Sequence, residues 1–321
     1  MVQVLANDGI ASGGAALLEE NGYKVHLVKV APEQLSDYIN SNDIQVLLVR
    51  SATQVTKTLM EQCPKLKLVG RGGVGLDNID LTAAAARGVK VFNTPAASSQ
   101  SVAELVFAHI FSGVRYLYDA NRNMPLEGDQ KFKQLKKAYA AGTELKGKTL
   151  GVIGFGRIGQ AVAKMALGLG MEVIFHDRQT TRVDLEFEFF NGATQMFQME
   201  SKSMEDVLKK SDFITLHLPA QKEYVIGKDE IKKMKEGAGL INTSRGGIVD
   251  EKALLDALDE NHISFAGLDV FESEPQPEIR VLMHPKISLT PHTGASTLES
   301  QNRIGVELAE QIMAFYQENP A

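Results

Sequence analysis

The pattern that most narrows the fold runs through this chain twice: short β-branched runs alternate with helix-like segments. Before residue 100 the runs are "VQVLA" (2–6), "KVHLVKV" (24–30), "IQVLLVR" (44–50), "LKLVGR" (66–71) and "VKVFN" (89–93). Between them lie "GGAALLEENG", "APEQLSDYINS", "TKTLMEQC" and "DLTAAAARG", several closing at Gly, which ends helices by accepting a left-handed conformation. A second series begins at "KTLGVIGFG" (148–156) and continues through "MEVIFHD" (171–177), "SDFITLHLP" (211–219), "GAGLINTS" (237–244), "ISFAGLDVF" (263–271) and "ISLTPH" (287–292). Such a series builds a mostly parallel sheet with helices on both faces. The predicted class is therefore α/β, with two doubly wound parallel-sheet domains. Length agrees, since 321 residues exceed what most single cores hold and a cleft between two domains is expected.

Two helices and one interruption complete the reading. "SSQSVAELVFAHIFSGVRYLYDANRN", from Ser98, has a serine start, an early Glu104 and apolar residues at helical spacing, which predicts one long helix. "LESQNRIGVELAEQIMAFYQ" predicts an amphipathic helix at the C-terminal end. The segment "RVDLEFEFFNGATQMFQMES" (182–201) alternates polar and apolar residues on each side of Asn191-Gly192. Both turn residues tolerate positive φ, so a small inserted hairpin is expected. Its Phe187, Phe189, Phe190 and Phe197 would be costly to expose, so packing against a neighbour is expected too.

Composition bounds the partners. A formal charge of −6, with no basic block longer than a helix face, argues against nucleic acid or an anionic membrane surface. No window approaches 18 unbroken apolar residues, and the N-terminus lacks the basic and apolar regions of a signal peptide, so no membrane span and a cytoplasmic location are expected. Cys63 is the only cysteine, which leaves no intrachain disulfide and no metal–cysteine cluster; no metal is expected, and Cys63 reads as a packed small residue.

Chemistry enters at "GVIGFGRIG". Gly154, Gly156 and Gly159 form G-x-G-x-x-G directly after an apolar strand and at the opening of a helix. In that arrangement the first glycine permits a tight turn, the second lets backbone approach a pyrophosphate, and the third lets helix pack on sheet. The N–H groups of the helix start receive the negative charge. The next strand ends in Asp177, 18 residues past Gly159, where a carboxylate accepts hydrogen bonds from the adenosine ribose hydroxyls. A carboxylate there repels a 2′-phosphate, so NAD is favoured over NADP, although the adjacent Arg178 softens that repulsion.

Three later strand ends carry further polar groups, at the edge where ligands bind in such sheets. They are Arg245 in "INTSRGGIVDE" (241–251), Asp269 with Glu274 in "LDVFESEP", and His292 in "TPHTGAST". A guanidinium leaving a buried strand needs an anion, because its desolvation costs several kcal/mol otherwise. Each has a plain alternative: Arg245 could pair with Asp250, Glu274 could be a solvated charge, and His292 a loop histidine. Taken together they supply what oxidation of a 2-hydroxy acid needs. His takes the hydroxyl proton, a carboxylate stabilises its imidazolium, and Arg orients the substrate carboxylate.

In "GFGRIG", "NTSRGGIVDE", "GLDVFESEP" and "PHTGAST", in this order and over nearly its whole length, the chain resembles the D-isomer-specific 2-hydroxyacid dehydrogenases. The resemblance implies a flavodoxin-like substrate domain (1–97 plus 292–321) and a Rossmann NAD-binding domain (98–291), hinged near residues 97 and 291. It implies His292 as acid/base, Glu274 as its partner and Arg245 on the substrate. It further implies that Arg157, Ile158, Thr243, Ser244, Gly294 and Ala295 touch the cofactor and that Asp269 faces the nicotinamide carboxamide. A homodimer joined through the NAD-binding domain is implied as well.

Within that family, residues 49–106 most resemble the D-3-phosphoglycerate dehydrogenase branch, which implies a small phosphorylated 2-hydroxy acid as substrate and oxidation of D-3-phosphoglycerate on the route to serine. The turn "GRGGVG" (70–75), with Gly73, Val74 and Gly75, offers backbone N–H groups to a carboxylate. Arg50, before Ser51, and Arg71 stand at strand ends where they could meet a second anion; as strand-end surface charges they would mean nothing of the kind. Lys137, one of a Lys136-Lys137 pair, corresponds to a basic residue reaching the neighbouring subunit's phosphate. The chain stops at 321, so the C-terminal regulatory domains of many such enzymes, and serine feedback through them, are not expected. The open alternatives are a dehydrogenase or reductase of another acid, such as glyoxylate or D-lactate, and a dinucleotide-sensing corepressor.

Overall fold

The computed structural model describes residues 1–319, whose backbone divides into two compact units, Met1–Ser101 with the chain from Ala295 on, and Val102–Gly294. In the first unit the chain runs β1 (Gln3–Ala6), α1 (Ser12–Glu20), β2 (Lys24–His26), α2 (Pro32–Ser41), β3 (Ile44–Val49), α3 (Lys57–Gln62), β4 (Leu68–Arg71), α4 (Leu81–Ala86) and β5 (Lys90–Asn93). The strands pair in parallel in the order β2-β1-β3-β4-β5, which is the flavodoxin-like doubly wound order.

α5 (Ser99–Val114) and α6 (Leu117–Ala138) follow, and then the second unit's sheet: β6 (Thr149–Ile153), α7 (Arg157–Gly168) and β7 (Glu172–His176). The chain next forms β8 (Arg182–Glu188) and β9 (Thr194–Glu200), an antiparallel pair of their own. It continues through α8 (Met204–Lys210), β10 (Phe213–Leu216), α9 (Lys228–Lys233), β11 (Ala238–Asn242), α10 (Glu251–Asp259), β12 (Ile263–Leu268), α11 (Ile279–Met283) and β13 (Ile287–Leu289). The six parallel strands stand in the order β13-β12-β11-β10-β6-β7. The order reverses between β10 and β6, so β6 ends at the switch point where ligands bind in such sheets. α12 (Leu298–Glu318) then returns to the first unit, its start capped by the Thr297 hydroxyl, which accepts from Ser300 N at 3.1 Å.

The period of two along each strand explains the two-layer cover. In the first unit Leu5, Leu47, Val49 and Val69 face Leu35, Ile39, Leu59 and Met60, while Val4, Val46, Leu48 and Leu68 face Leu18, Ile304, Leu308 and Ile312. Neighbouring residues point to opposite faces, so both faces need apolar side chains. α1 and α12 approach closely because neither contact residue has a side chain: a Cβ on Gly14 would lie 2.3 Å from Gly305 O. In the second unit Val106, Ile110, Val162 and Ala166 cover one face, and Val207, Leu208, Leu254 and Leu258 the other.

The expected hairpin is present. Leu185 is buried, and Val183, Phe197 and Met199 pack with it against the core beside α7. Phe189 is 47% exposed and packs only its ring against Phe187, 4.8 Å between centroids, while Phe190 at the tip is fully exposed. Two expectations differ from the structure. The single helix from Ser98 is two helices, broken where Tyr116 takes a left-handed φ of 53°. α5 lies so close to the sheet that a Cβ on Gly113 would be 2.1 Å from the Phe265 ring, and the chain turns away directly after this contact. The run 24–30 gives only a three-residue edge strand; Leu27 and Val28 are exposed, and Val30 N donates instead to Asn7 Oδ1 at 2.8 Å.

Candidate active site

The turn between β6 and α7 assigns each glycine of the 154–159 motif a separate task. Gly154 has φ +91°, and a Cβ there would lie 2.4 Å from His217 O. A Cβ on Gly159 would lie 2.2 Å from Gly154 O, so both are demanded by the protein's own packing. Gly156 is different: its φ is −74°, which any residue adopts, and a Cβ there meets nothing within 4 Å. The protein alone gives no reason for glycine at 156, and an approaching pyrophosphate does. Arg157 and Ile158 follow in the first turn of α7, whose N-cap Gly156 offers no side chain to its N–H groups, leaving them for an anion.

Asp177 stands just past β7 and closes this turn from the side. Its Oδ2 accepts from Phe155 N at 2.7 Å and its Oδ1 from Gln179 N and Thr180 N, both at 2.8 Å. Burial alone would raise its pKa, but the backbone donors of Thr180, Phe155 and Gln179 outweigh it and hold the carboxyl below its ordinary value. It remains an anion with lone pairs to spare for hydroxyl donors, and Arg178 beside it is exposed. The residues present fit a dinucleotide: free helix-start amides for its phosphates, an open cradle at Gly156, and a carboxylate for its ribose.

Beyond the ends of β11, β12 and β13 lie the predicted catalytic residues. His292 Nδ1 is 2.9 Å from Glu274 Oε2. A carboxylate only accepts, so Nδ1 carries the proton and Nε2 is left to face a substrate. Glu274 is itself fixed, its Oε1 accepting from Phe271 N at 3.0 Å. His292 has φ +54°, a left-handed conformation that costs about 1–3 kcal/mol unless its surroundings hold it. Asp269 does so: its backbone O accepts from His292 N at 2.8 Å, while its carboxylate accepts from Thr293 N at 2.7 Å and Gly294 N at 2.8 Å. Asp269 is 1% exposed, and these bonds make it the residue that holds the His292 loop.

Arg245 leaves β11 through a turn shaped by Asn242, whose Oδ1 accepts from Ser244 N at 3.1 Å and Ser244 Oγ at 2.8 Å, and whose Nδ2 donates to Arg245 O at 2.9 Å. Arg245 Nη1 donates to Ser244 O at 2.6 Å. Thr243 is buried, with its hydroxyl unpartnered among the described residues. Gly246 is required because a Cβ there would lie 1.8 Å from Phe271 O, which brings the arginine loop against the loop carrying Glu274. Asp250 spends its carboxylate on the start of α10, accepting from Ala253 N at 2.9 Å. Glu251 and Glu272 exchange reciprocal backbone-to-carboxylate bonds of 2.9 and 2.8 Å across the same two loops. Burial, with the nearby charges of Glu272, Glu278 and Glu274, raises Glu251 above its ordinary value despite the Glu272 N–H it accepts.

The first unit holds its own polar set. Arg50 N donates to Asp8 Oδ2 at 2.7 Å and Arg50 O accepts from Asn78 Nδ2 at 2.8 Å, so the turn carrying Arg50 and Ser51 is clamped from both sides. Asn78 Oδ1 also accepts from Arg71 Nε at 3.3 Å. Gly73 has φ +149°, and a Cβ there would lie 2.5 Å from Arg71 Nη1, so the guanidinium lies against this turn. The N–H groups of Gly72 and Gly73 are spent on Val49 O and Arg71 O, at 2.9 and 3.0 Å. Those of Val74 and Gly75 have no partner among the described residues. Lys137 lies in the last turn of α6, and Ala295 follows Gly294 directly.

Residues 107–294 match the family model for the D-isomer specific 2-hydroxyacid dehydrogenase, NAD binding domain. The chain belongs to the D-isomer-specific 2-hydroxyacid dehydrogenases. It is an NAD-dependent 2-hydroxyacid dehydrogenase, and the β6–α7 turn with Asp177 is where the chain's own features fit that cofactor. A hydroxypyruvate reductase from Thermotoga maritima is 42% identical over 294 residues, which are 90% of this chain and 87% of that one. A D-3-phosphoglycerate dehydrogenase from Bacillus subtilis is 38% identical over 317 residues, 98% of this chain but 57% of that protein, so this chain spans little more than half its length. Among solved structures, a glyoxylate reductase from Paecilomyes thermophila superposes with a TM-score of 0.82 at 26% identity, covering 98% of this chain and 94% of that one.

Sequence reasoning missed the residues that hold these groups in place: Asp8, Asn78, Asn242, Glu251, and Thr290, whose hydroxyl donates to Asp269 Oδ1 at 2.6 Å. Asn242 was visible within "INTSRGG", but its role depends on the tight turn that follows. No helix among the described residues is long and apolar enough to cross a membrane.

Proposed function

We propose that this dehydrogenase oxidises D-3-phosphoglycerate to 3-phosphohydroxypyruvate, a step toward serine. The observation that carries the reading is the pair of arginines at the ends of adjacent strands, Arg50 directly past β3 and Arg71 closing β4, both tied to Asn78. A phosphorylated acid carries a second anion besides its carboxylate, and a pair of strand-end arginines is the chemistry that suits a phosphate. A dinucleotide held by the Gly154–Gly159 turn and Asp177 would supply the acceptor for the hydride from the substrate's C2. His292 Nε2 takes the hydroxyl proton as the C–H bond breaks, and the resulting imidazolium is stabilised by Glu274 through Nδ1–H. Arg245 holds the carboxylate so that C2 and its hydroxyl keep one orientation. Lys137 is assigned to the phosphate of a neighbouring subunit.

A dimer is part of this reading. α6 has no buried residue although Leu117, Met124, Leu126 and Phe132 stand on it 53%, 40%, 77% and 57% exposed, which suits a helix covered by a second copy. Cys63, 1% exposed with its thiol pushed up to about 11 by burial, is inert packing and fits a cytoplasmic location. The second reading is reduction of hydroxypyruvate, which the Thermotoga relative favours by its near-complete mutual coverage. Arg50→Ala separates the two. For the first it raises KM for D-3-phosphoglycerate by about 10-fold or more, the worth of a charge-assisted bond, and leaves KM for D-glycerate alone. An unchanged KM for the phosphorylated acid contradicts the assignment.

A further inference from the structure

His109 lies on α5, far in sequence from the segments that carry Arg245, Glu274 and His292, and is 2% exposed. Its ring meets two hydroxyls, Ser288 Oγ at 2.9 Å from Nδ1 and Thr290 Oγ1 at 3.1 Å from Nε2. The Thr290 hydroxyl has one proton, and that proton goes to Asp269 Oδ1 at 2.6 Å, because a carboxylate cannot donate. Thr290 must therefore accept from His109, which fixes the imidazole as the Nε2–H form with Nδ1 accepting from Ser288. Burial lowers the ring's pKa against the opposing pull of the Asp269 charge, and that keeps the ring neutral. The chain is built to admit it: a Cβ on Gly267 would lie 2.5 Å from His109 Cβ.

We infer that His109 is a positioning residue for the acid/base histidine, acting through Thr290 and Asp269 on the loop 292–294. His109 Nε2–H orients the Thr290 hydroxyl, Thr290 fixes one oxygen of the Asp269 carboxylate, and that carboxylate holds the N–H groups of Thr293 and Gly294. The left-handed His292 is thereby kept in one geometry, with its Nδ1 on Glu274. Without the His109 donor the half-buried Thr290 oxygen loses a partner, and the hydroxyl is free to leave Asp269 for another. The inference rests on the reading of His292 as acid/base.

Two variants and their combination test it. His109→Leu removes both ring nitrogens, and Thr290→Val cuts the relay at its centre. Each is expected to lower kcat about 10-fold or more while the NADH dissociation constant and the substrate KM stay within about twofold, since a misplaced general base costs turnover rather than binding. The double variant is expected to be no slower than Thr290→Val alone. His109→Gln, whose amide places an N–H near the Nε2 position, is expected to restore most of kcat. A His109→Leu enzyme with unchanged kcat, or single effects that multiply in the double variant, would overturn the relay. Should His109→Leu fail to fold, the long-range 1H–15N spectrum of the wild-type imidazoles decides: a neutral Nε2–H form supports the relay, and an Nδ1–H form overturns it. His292→Asn is the separate control, because full activity there sinks the acid/base reading whatever His109 does.

Discussion

Replacing the glycines of the 154–159 turn by alanine, one at a time, separates what the fold requires from what the cofactor requires. At Gly154 a methyl group meets His217 O at 2.4 Å on a backbone with φ +91°. Overpacking of about 1–3 kcal/mol and a left-handed penalty of about 1–2 kcal/mol add to a loss of roughly 2–5 kcal/mol. For a unit of this size that lowers Tm by about 5–15 °C. At Gly156 the methyl group meets nothing and the backbone is already ordinary, so only helix-cap preference is lost, about 1 kcal/mol. The same methyl group stands where the pyrophosphate comes closest. Pushing the phosphates away weakens one or more charge-assisted bonds of about 1.5–3 kcal/mol each, a loss of roughly 10- to 100-fold in NADH affinity. Differential scanning calorimetry and NADH fluorescence titration on Gly154→Ala and Gly156→Ala read both effects. A Gly156→Ala protein that binds NADH normally, or that loses as much stability as Gly154→Ala, refutes the division of tasks.

Three further outcomes are expected. Glu274→Gln keeps a hydrogen-bond acceptor for His292 but removes the charge, so kcat falls about 10- to 100-fold with KM for NAD unchanged, as steady-state kinetics would show. Glu251→Gln raises Tm near pH 8, because a buried carboxyl raised above its ordinary value of 4.5 costs native stability once ionised; thermal melts should show that gain disappear as pH falls below that value. Phe132→Asp on α6 places a charge on the face proposed to meet a second copy, and sedimentation velocity should show monomers at concentrations where the wild type is dimeric.

The strand series and the glycine turn could be read from sequence because each rests on local chemistry: β-branched runs, glycines, and an acid one strand later. The hairpin was equally local, since Asn191-Gly192 and the alternation around it need no distant partner. The break at Tyr116 was not readable, because the apolar periodicity runs on through it and the cause, Phe265 beneath Gly113, lies 152 residues away along the chain. The short β2 has a similar origin: Val30 is captured by the Asn7 side chain rather than by a neighbouring strand. In the site, side chains that meet ligands stood out as charges at strand ends. Those that hold them did not, for Asp8, Asn78 and His109 look like ordinary loop or helix residues until their partners, 42, 28 and 181 positions away, are brought beside them.

The central claim, oxidation of the phosphorylated acid, is tested most directly by the initial rate of NADH formation with D-3-phosphoglycerate, beside D-glycerate and D-lactate, with the oxo product trapped. A kcat/KM for D-3-phosphoglycerate at least about tenfold above the others, the worth of one charge-assisted phosphate contact, is the expected result. Equal or faster turnover of D-glycerate would contradict it and move the assignment to hydroxypyruvate chemistry, leaving the fold, the NAD site and the His292–Glu274 pair in place.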